Sequence, residues 1–426
     1  MQINIKNAAK VRKADLMLDG LTVIAGYNNM GKSTILKAAY LTFRTFRNPI
    51  YKAGEVRVRS LSDYFQNLRY DLGQHGYDYL PREFFSEIIL KMKEYLIGFM
   101  NVRQDDFGLI KNIFKETWNE YQDFVTGTKG RNEFFSDDIL KPVYEKIQKI
   151  AVRDVEEDLI YIAEMYLRNL WKGQINSLHN NSFTSIEIVS GMENYFMDIR
   201  ENKVAKIRYS VNQEPEVFYL PAYHLLDLVN KPAFASVTHS TESDLQSALM
   251  SQKTEPSLEE HREMEKNTAF VKEILEEVLH GKLEKLPSGK IFFQDEVLHQ
   301  SVDLGNVASG MKNFLVIQSL IEKGKLKRNS ILMIDEPETN LHPQWHLEFA
   351  EILVLLYKHM GIRSIVNSHS PYFIRALEVK MADERLKENG HYYLMEEAGK
   401  NLFQTRDVTE HTDQIYERLY RPLEYL

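Results

Sequence analysis

The sequence predicts an α/β fold with a mainly parallel sheet and a large helical insertion. Three observations carry that expectation. The last part of the chain alternates helix, strand, helix, strand over 310–323, 330–335, 343–359 and 363–367, the rhythm of parallel strands joined by crossover helices. Near the start, the apolar run Leu21–Ala25 enters a Gly/Asn loop. A segment with Leu36, Ala39, Tyr40 and Phe43 at helical spacing follows. Between them, residues 60 to 175 are mostly helical in pattern, most clearly at Ser86–Met100 and Val155–Trp171, with Pro81 and Pro142 expected to interrupt.

The loop Gly26–Ser33 reads GYNNMGKS, the pattern G-x-x-x-x-G-K-[ST], placed between a strand and a helix. Backbone N–H groups of such a loop converge on phosphate oxygens, and the following helix N-terminus adds positive potential. Gly26 and Gly31 permit close approach, and Asn28 and Asn29 tolerate left-handed backbone. Lys32 would reach the β- and γ-phosphates, and the Ser33 hydroxyl would ligate Mg²⁺. The expected nucleotide-binding residues are Gly26, Asn28, Asn29, Gly31, Lys32, Ser33 and Thr34. The competing reading is a chance match in a glycine turn, which the flanking strand and helix disfavour.

A second site-like stretch reads ILMIDEPETNLHP, from Ile331. A buried strand ending on two adjacent carboxylates is costly unless a cation or a reaction uses them. Asp335 would hold Mg²⁺, directly or through water, and Glu336 would orient or deprotonate an attacking water. The bland reading is a charge cluster ahead of the helix opened by Pro343. Glu338 has no role visible in the sequence.

These motifs resemble those of a family. Ala308–Phe314 (ASGMKNF) resembles an ABC signature, Asn367–Ile374 (NSHSPYFI) a switch-histidine segment, and DEPETNLHP the Walker B and D-loop of compact ABC ATPases in the RecF, SMC and OLD group. The resemblance is specific over roughly 1–45 and 285–380. It implies an ABC ATPase head using ATP and Mg²⁺, with the helical insertion between Walker A and signature. Ser309 and Gly310 would contact the γ-phosphate of ATP held by another subunit, and His369 would sense that phosphate. Thr339, Asn340, Leu341 and His342 would form the D-loop at the interface. A head-to-tail homodimer or higher oligomer follows. Val217–His224 (VFYLPAYH) resembles a Y-[IL]-P-A-x-R stretch of OLD-like ATPases, with His224 where the family has Arg, so His224 is given no phosphate role.

Other features bound the function. Cys is absent from the 426 residues, which removes disulfides and thiolate metal sites and fits a cytoplasmic protein. Net charge is −8, so the whole chain is no basic nucleic-acid binder. A basic N-terminal stretch, Lys6, Lys10, Arg12, Lys13, Arg44, Arg47, Lys52, Arg57 and Arg59, reads as a solvated face or a phosphate-contacting surface. His342 and His346, four apart, could face a zinc ion, but no third ligand has matching spacing. Tyr27 and Met30 either flank a nucleotide or face solvent. No apolar run is long enough to span a bilayer.

The expected organisation is 1–55 as the first ATPase lobe, 56–180 as the helical insertion and 181–225 as the β-rich part of the head. A polar loop with helices at 226–285, one of them at about 267–279, and a second lobe at 286–426 complete it, with a hairpin read from Gly289 onward. About 275 residues separate the P-loop from the signature, and no heptads or paired Cys accompany them. That argues against a transporter subunit, an SMC arm and a zinc hook. With 57 residues after His369, no Toprim nuclease is expected. What remains resembles stand-alone ATPases of bacterial anti-phage systems, such as PtuA of Septu or AriA of PARIS. The resemblance implies a sensor or regulatory ATPase with a separately encoded effector, such as a nuclease. The alternatives are a RecF-like DNA-binding repair ATPase and an ATP-stabilised scaffold.

Overall fold

Strands β1 (Gln2–Ala8), β2 (Val11–Met17) and β3 (Leu21–Ala25) open the computed structural model, which describes residues 1–74, 82–98, 112–113, 115–117, 120, 137–177, 183–210, 215–222, 225–230, 239–251 and 258–421. The strands β4 (Thr184–Ser190), β5 (Glu193–Arg200), β6 (Lys203–Arg208) and β7 (Val217–Leu220) follow a helical stretch. The strands β8 (Gly281–Lys285), β9 (Ile291–Asp295) and β10 (Gln300–Val302) form a small separate sheet. The last four are β11 (Ile331–Asp335), β12 (Arg363–Ser368), β13 (Gly390–Glu397) and β14 (Phe403–Asp407).

Among the described residues one large sheet runs in the order β6-β5-β4-β1-β2-β14-β13-β3-β12-β11-β7. The α/β expectation holds, but the sheet is mixed rather than mainly parallel. Parallel pairing covers β7, β11, β12, β3 and β13. The β1–β2 and β4–β5–β6 wing is antiparallel. Tight turns explain the wing. Glu201 and Asn202 both take positive φ between the paired ends Arg200 and Lys203, the geometry whose twist matches a hairpin. The strands β3 and β11 are buried at every position, as central parallel strands with both faces covered must be.

The chain divides into two compact units. The first holds Met1–Phe46, Ala163–Ser210 and Glu214–Leu426, and therefore every strand of the large sheet. Its helices are α1 (Lys32–Phe46), α6 (Thr241–Met250), α7 (Leu258–Leu279), α8 (Lys312–Glu322), α9 (Pro343–Met360), α10 (Pro371–Asp383) and α11 (Asp413–Tyr420). The second, Arg47–Ile162 with Val211–Gln213, is helical where described: α2 (Pro49–Gln74), α3 (Arg82–Gly98), α4 (Asp137–Ala151) and the start of α5 (Val155–Trp171). The expected edges at 55 and 180 lie further along the chain. The break after α1 is made by Asn48, at φ 48°, and Pro49 at the next helix start, a local signal that composition hides.

Three sequence expectations shift here. Pro142 does not interrupt a helix but sits inside α4, where it removes one hydrogen bond near the N-terminal end. Pro81 lies outside the described residues. The helix expected at 267–279 begins at Leu258. Arg262, Glu263, Glu265 and Lys266 are exposed, and only from Thr268 does a buried stripe of Val271, Leu275 and Val278 appear, so periodicity could not find the start. The segment expected as a hairpin after residue 289 gains a third strand, β8.

Two members of the basic N-terminal stretch are drawn inward, while Lys6, Arg12, Lys13 and Arg59 are exposed. Arg44 pairs with Asp244 at 2.9 Å and its Nε lies 3.3 Å from the Tyr166 hydroxyl. Arg57 is buried and donates to Asp158 at 2.7 Å and to the carbonyls of Ala151 and Arg153. Neither can contact a phosphate backbone. Lys10 donates to Asn29 at 2.8 Å, and Lys13 pairs with Asp15. Helix-forming sequence with scattered arginines had concealed interior ion pairs.

Within the helical unit Asp158 has no solvent exposure and also meets Arg153 at 3.1 Å. Removing one member of a buried ion pair leaves uncompensated charge, at a cost of about 3–5 kcal/mol. Asp158→Ala should therefore lower unfolding stability by about that amount in urea titrations. A loss below about 1 kcal/mol would mean the arginines find water instead.

Candidate functional site

Parallel register sets the site. Ser368 of β12 lies opposite Ala25 of β3, and Asp335 of β11 opposite Asn367 of β12. The C-terminal ends of all three strands therefore share one edge, where ligands bind in open parallel sheets. From that edge β3 feeds the Gly26–Ser33 loop, β11 feeds Glu336 and β12 feeds His369.

The loop has the backbone its residues were expected to allow. Gly31 stands at φ +91°, and a Cβ there would lie 2.8 Å from Val11. A Cβ on Gly26 would lie 2.8 Å from Met395. Asn29 takes φ 67°, and Asn28 and Asn29 are exposed. Lys32 opens α1 and is 4% exposed. Its ammonium donates to the carbonyls of Gly26 at 2.8 Å and Tyr27 at 3.0 Å. Glu336 lies 3.7 Å away. Burial holds the Lys32 pKa below its ordinary value, against the opposing pull of Glu336, Glu338 and Asp335. Thr34 follows in the first turn of α1, half-buried. Tyr27 does not face a nucleotide freely: its hydroxyl donates to the Arg418 carbonyl, and the Arg418 guanidinium sits 5.2 Å from its ring centre. Met30 is buried.

Ser33 and Asp335 meet directly. The Ser33 hydroxyl donates to Asp335 Oδ1 at 2.9 Å. Tyr219, on the edge strand β7, donates to the other oxygen, Oδ2, at 3.0 Å. A hydroxyl beside a carboxylate is a hard oxygen donor pair of the kind Mg²⁺ takes, with phosphate and water oxygens completing six ligands. The residues thus fit the ion. Among the described residues no group of three His, Cys, Asp or Glu is arranged to hold a metal by itself.

Glu336 is held in left-handed backbone, φ 49°, by a bond from its N–H to the Asn367 side chain at 2.9 Å. His369 Nδ1 lies 3.4 Å from Glu336 and 3.4 Å from Glu338. The His369 ring lowers the Glu336 pKa, Lys32 adding to it, and Glu336 in turn raises that of His369. Lys32, Ser33, Asp335, Glu336 and His369 therefore form one cluster.

Ser309 and Gly310 lie elsewhere, in a short 3₁₀ turn before α8. Gly310 abuts the Thr339–His342 stretch: a Cβ there would lie 2.8 Å from the Asn340 carbonyl oxygen and 3.0 Å from the Trp345 ring. The turn after Glu336 is closed by Thr339 N–H to Glu336 O at 3.0 Å and Leu341 N–H to Glu338 O at 3.1 Å. Asn340 and His342 are exposed. His342 caps α9 by accepting from Gln344 N–H at 3.3 Å, while His346 is buried against Phe373. Each histidine thus has a structural place of its own.

Sequence reasoning missed Tyr219, Asn367 and Glu338. Tyr219 sits in the VFYLPA stretch, where attention fell on His224, which lies outside the described residues. Nothing in single-sequence periodicity marks Asn367 or Glu338.

With this geometry on hand, the family comparison is decisive. The profile of the family described as AAA ATPase domain matches residues 1–374, which include the loop, the acidic strand and His369. The chain belongs to the AAA ATPase domain family. This AAA ATPase domain is also similar to the SMC head domain from Thermotoga maritima, at 9% identity over 96% of this chain and 98% of that one, with TM-score 0.37. A second similar structure is the SmcHead bound to the C-winged helix domain of ScpA, at 8% identity, 97% and 98% coverage and TM-score 0.44. Superpositions this loose leave the assignment resting on the sequence family and the site. No curated protein matches the sequence significantly. Among the described residues no helix is long and apolar enough to cross a membrane.

Gly310→Ala should force the Asn340 turn to move, since backbone rather than a flexible side chain stands in the way. The expected loss is about 1–3 kcal/mol in urea unfolding, typical of overpacking. An unchanged midpoint would show that the turn yields freely.

Proposed function

We propose that this AAA ATPase domain hydrolyses ATP to ADP and phosphate in the ABC manner, at sites completed between two head-to-tail copies. One observation carries the reading. A buried Lys32 and a Ser33 hydroxyl, both from a phosphate-cradling loop, reach the Asp335–Glu336 pair, with His369 beside Glu336. The loop N–H groups and Lys32 would bind the phosphates. Ser33 and Asp335 would hold Mg²⁺, which neutralises phosphate charge. Glu336, kept ionised, would orient the water and take its proton, and His369 would donate to the γ-phosphate.

The adjacency of Gly310 to Asn340 supports the two-copy arrangement. Gly310 is buried against Asn340 and Trp345, and the phosphate loop is not among its nearest neighbours. Ser309 and Gly310 would then serve the partner's nucleotide, and Thr339–His342 would face the partner. The further role, a regulatory ATPase of an anti-phage system acting on a separately encoded effector, rests on the sequence resemblance. DNA binding through the N-terminal stretch would lack Arg44 and Arg57, which are paired to Asp244 and Asp158, and would rest on exposed Lys6, Arg12, Lys13 and Arg59.

Glu336→Gln should keep ATP binding and lower turnover by about 10²–10⁴-fold in a phosphate-release assay. Native turnover would assign the base elsewhere. Mixing inactive Lys32→Ala chains with inactive Ser309→Arg chains should restore activity, because one of the two sites in a mixed dimer is intact. No recovery despite demonstrated mixing would contradict completion in trans. Affinity capture from native cells should bring down the product of a neighbouring gene; its absence at native expression would count against the effector role.

A further inference from the structure

Glu338 is the carboxylate that the proposed chemistry leaves over, and its surroundings are specific. It is 8% exposed. One oxygen, Oε1, accepts from three donors of a single segment: Ser368 Oγ at 2.7 Å, His369 N–H at 3.0 Å and Ser370 N–H at 3.2 Å. The same oxygen stands 3.4 Å from His369 Nδ1. The other oxygen, Oε2, is buried with no hydrogen-bond partner. Burying a carboxylate so deeply costs several kcal/mol unless something is gained, and structural cohesion alone needs no charge here, since a neutral amide oxygen could accept the same three bonds.

We propose that Glu338 is a positioning residue that clamps the turn after β12 and holds the His369 ring between itself and Glu336. The inference rests on the proposed role of His369 at the γ-phosphate. Its physical content is a division between the two carboxylates. Glu338, behind the turn, fixes where His369 stands. Glu336, in front and partly exposed, is free to face water. His369 lies at equal distance from both, so a small move of the ring exchanges one partner for the other without breaking the clamp.

The clamp also sets charge. The groups facing His369 are Glu336 and Glu338 from the stretch after β11 and Lys32 from α1. The neighbouring Glu336, then the Glu338 charge, raise the His369 pKa above the ordinary histidine value, while burial and Lys32 oppose them. The sign is then fixed. The imidazolium is favoured by the fold below that raised pKa and is lost as pH rises through it. Hydrolysis that needs the imidazolium fails on the alkaline side first. Burial raises the Glu338 pKa, yet the hydrogen bonds from Ser368 and the turn act to keep it ionised.

The test is Glu338→Gln in the full chain, which keeps shape and the accepting oxygen but removes the charge. ATP affinity should change far less than in Lys32→Ala, because Glu338 acts on the phosphate loop only through the charge it presents to Lys32. At acid pH kcat should stay near native, because the accepting oxygen keeps the turn clamped, and only the loss of charge acts on His369. The alkaline limb of the kcat profile should move to lower pH. The His369 imidazole, followed by NMR in histidine-labelled protein and assigned by its loss in His369→Gln, should titrate at lower pH in the variant. A native profile together with a native His369 titration would overturn the proposal. Should Glu338→Gln not fold, Glu338→Asp is the second variant: it keeps the charge but shortens the arm, so kcat should fall while the His369 pKa stays raised. Native kcat in Glu338→Asp would overturn the clamp. Glu336→Gln is run alongside. If it is inactive and Glu338→Gln is native in profile and titration, only the role given to the Glu338 charge fails; if Glu336→Gln turns over normally, the catalytic reading itself fails.

Discussion

The parallel register of β3, β12 and β11 is the constraint on which the site depends. It aligns Ala25 with Ser368 and Asn367 with Asp335, so three loops leave the sheet at one edge. Sliding β12 by one residue would invert every side chain along it. Asn367 would then no longer hold the Glu336 N–H, and Ser368 would no longer reach Glu338. The antiparallel wing of β1, β2 and β4–β6 extends the sheet without contributing a residue to the cluster. It does shape the loop from below: Val11 of β2 lies where a side chain on Gly31 would go.

Electrostatics explains why the cluster is poised for an anion. Lys32 is buried, and at about 4 Å with an effective dielectric near 20 a single carboxylate returns about 4 kcal/mol. That is of the same order as the penalty for taking an ammonium out of water. Burial still wins, since the Lys32 pKa is lowered despite three carboxylates nearby. The loop carbonyls of Gly26 and Tyr27 offset part of the cost. A phosphate brought against Lys32 would add the charge that the carboxylates alone do not supply. On the acidic side, Asp335 is divided between Ser33 and Tyr219, which aims one oxygen at the loop and ties the other to the neighbouring strand.

Much of this was legible in the sequence where chemistry and spacing coincide. The loop Gly26–Ser33 has a spacing that backbone geometry demands, and ILMI before Asp335 is a buried strand by composition alone. The alternation after residue 310 gave the parallel half of the sheet. Features set by tertiary contact were not legible. Helix α7 begins in charged residues whose helicity has no apolar stripe to reveal it. Arg44 and Arg57 looked like surface cations because their partners, Asp244 and Asp158, lie far along the chain. Glu338 looked redundant for the same reason: its donors stand some thirty residues away, across β11 and β12. Tyr219 was passed over because a phenol in an apolar strand reads as core until its hydroxyl is found on Asp335.

The central claim is that the Lys32–Ser33–Asp335–Glu336 cluster binds Mg²⁺ and ATP. Calorimetric titration of the full chain with ATP, with and without Mg²⁺, tests it most directly when repeated on Lys32→Ala. The account predicts one ATP per chain, tighter with Mg²⁺ and lost in the variant. Equal affinity in native chain and Lys32→Ala would contradict it.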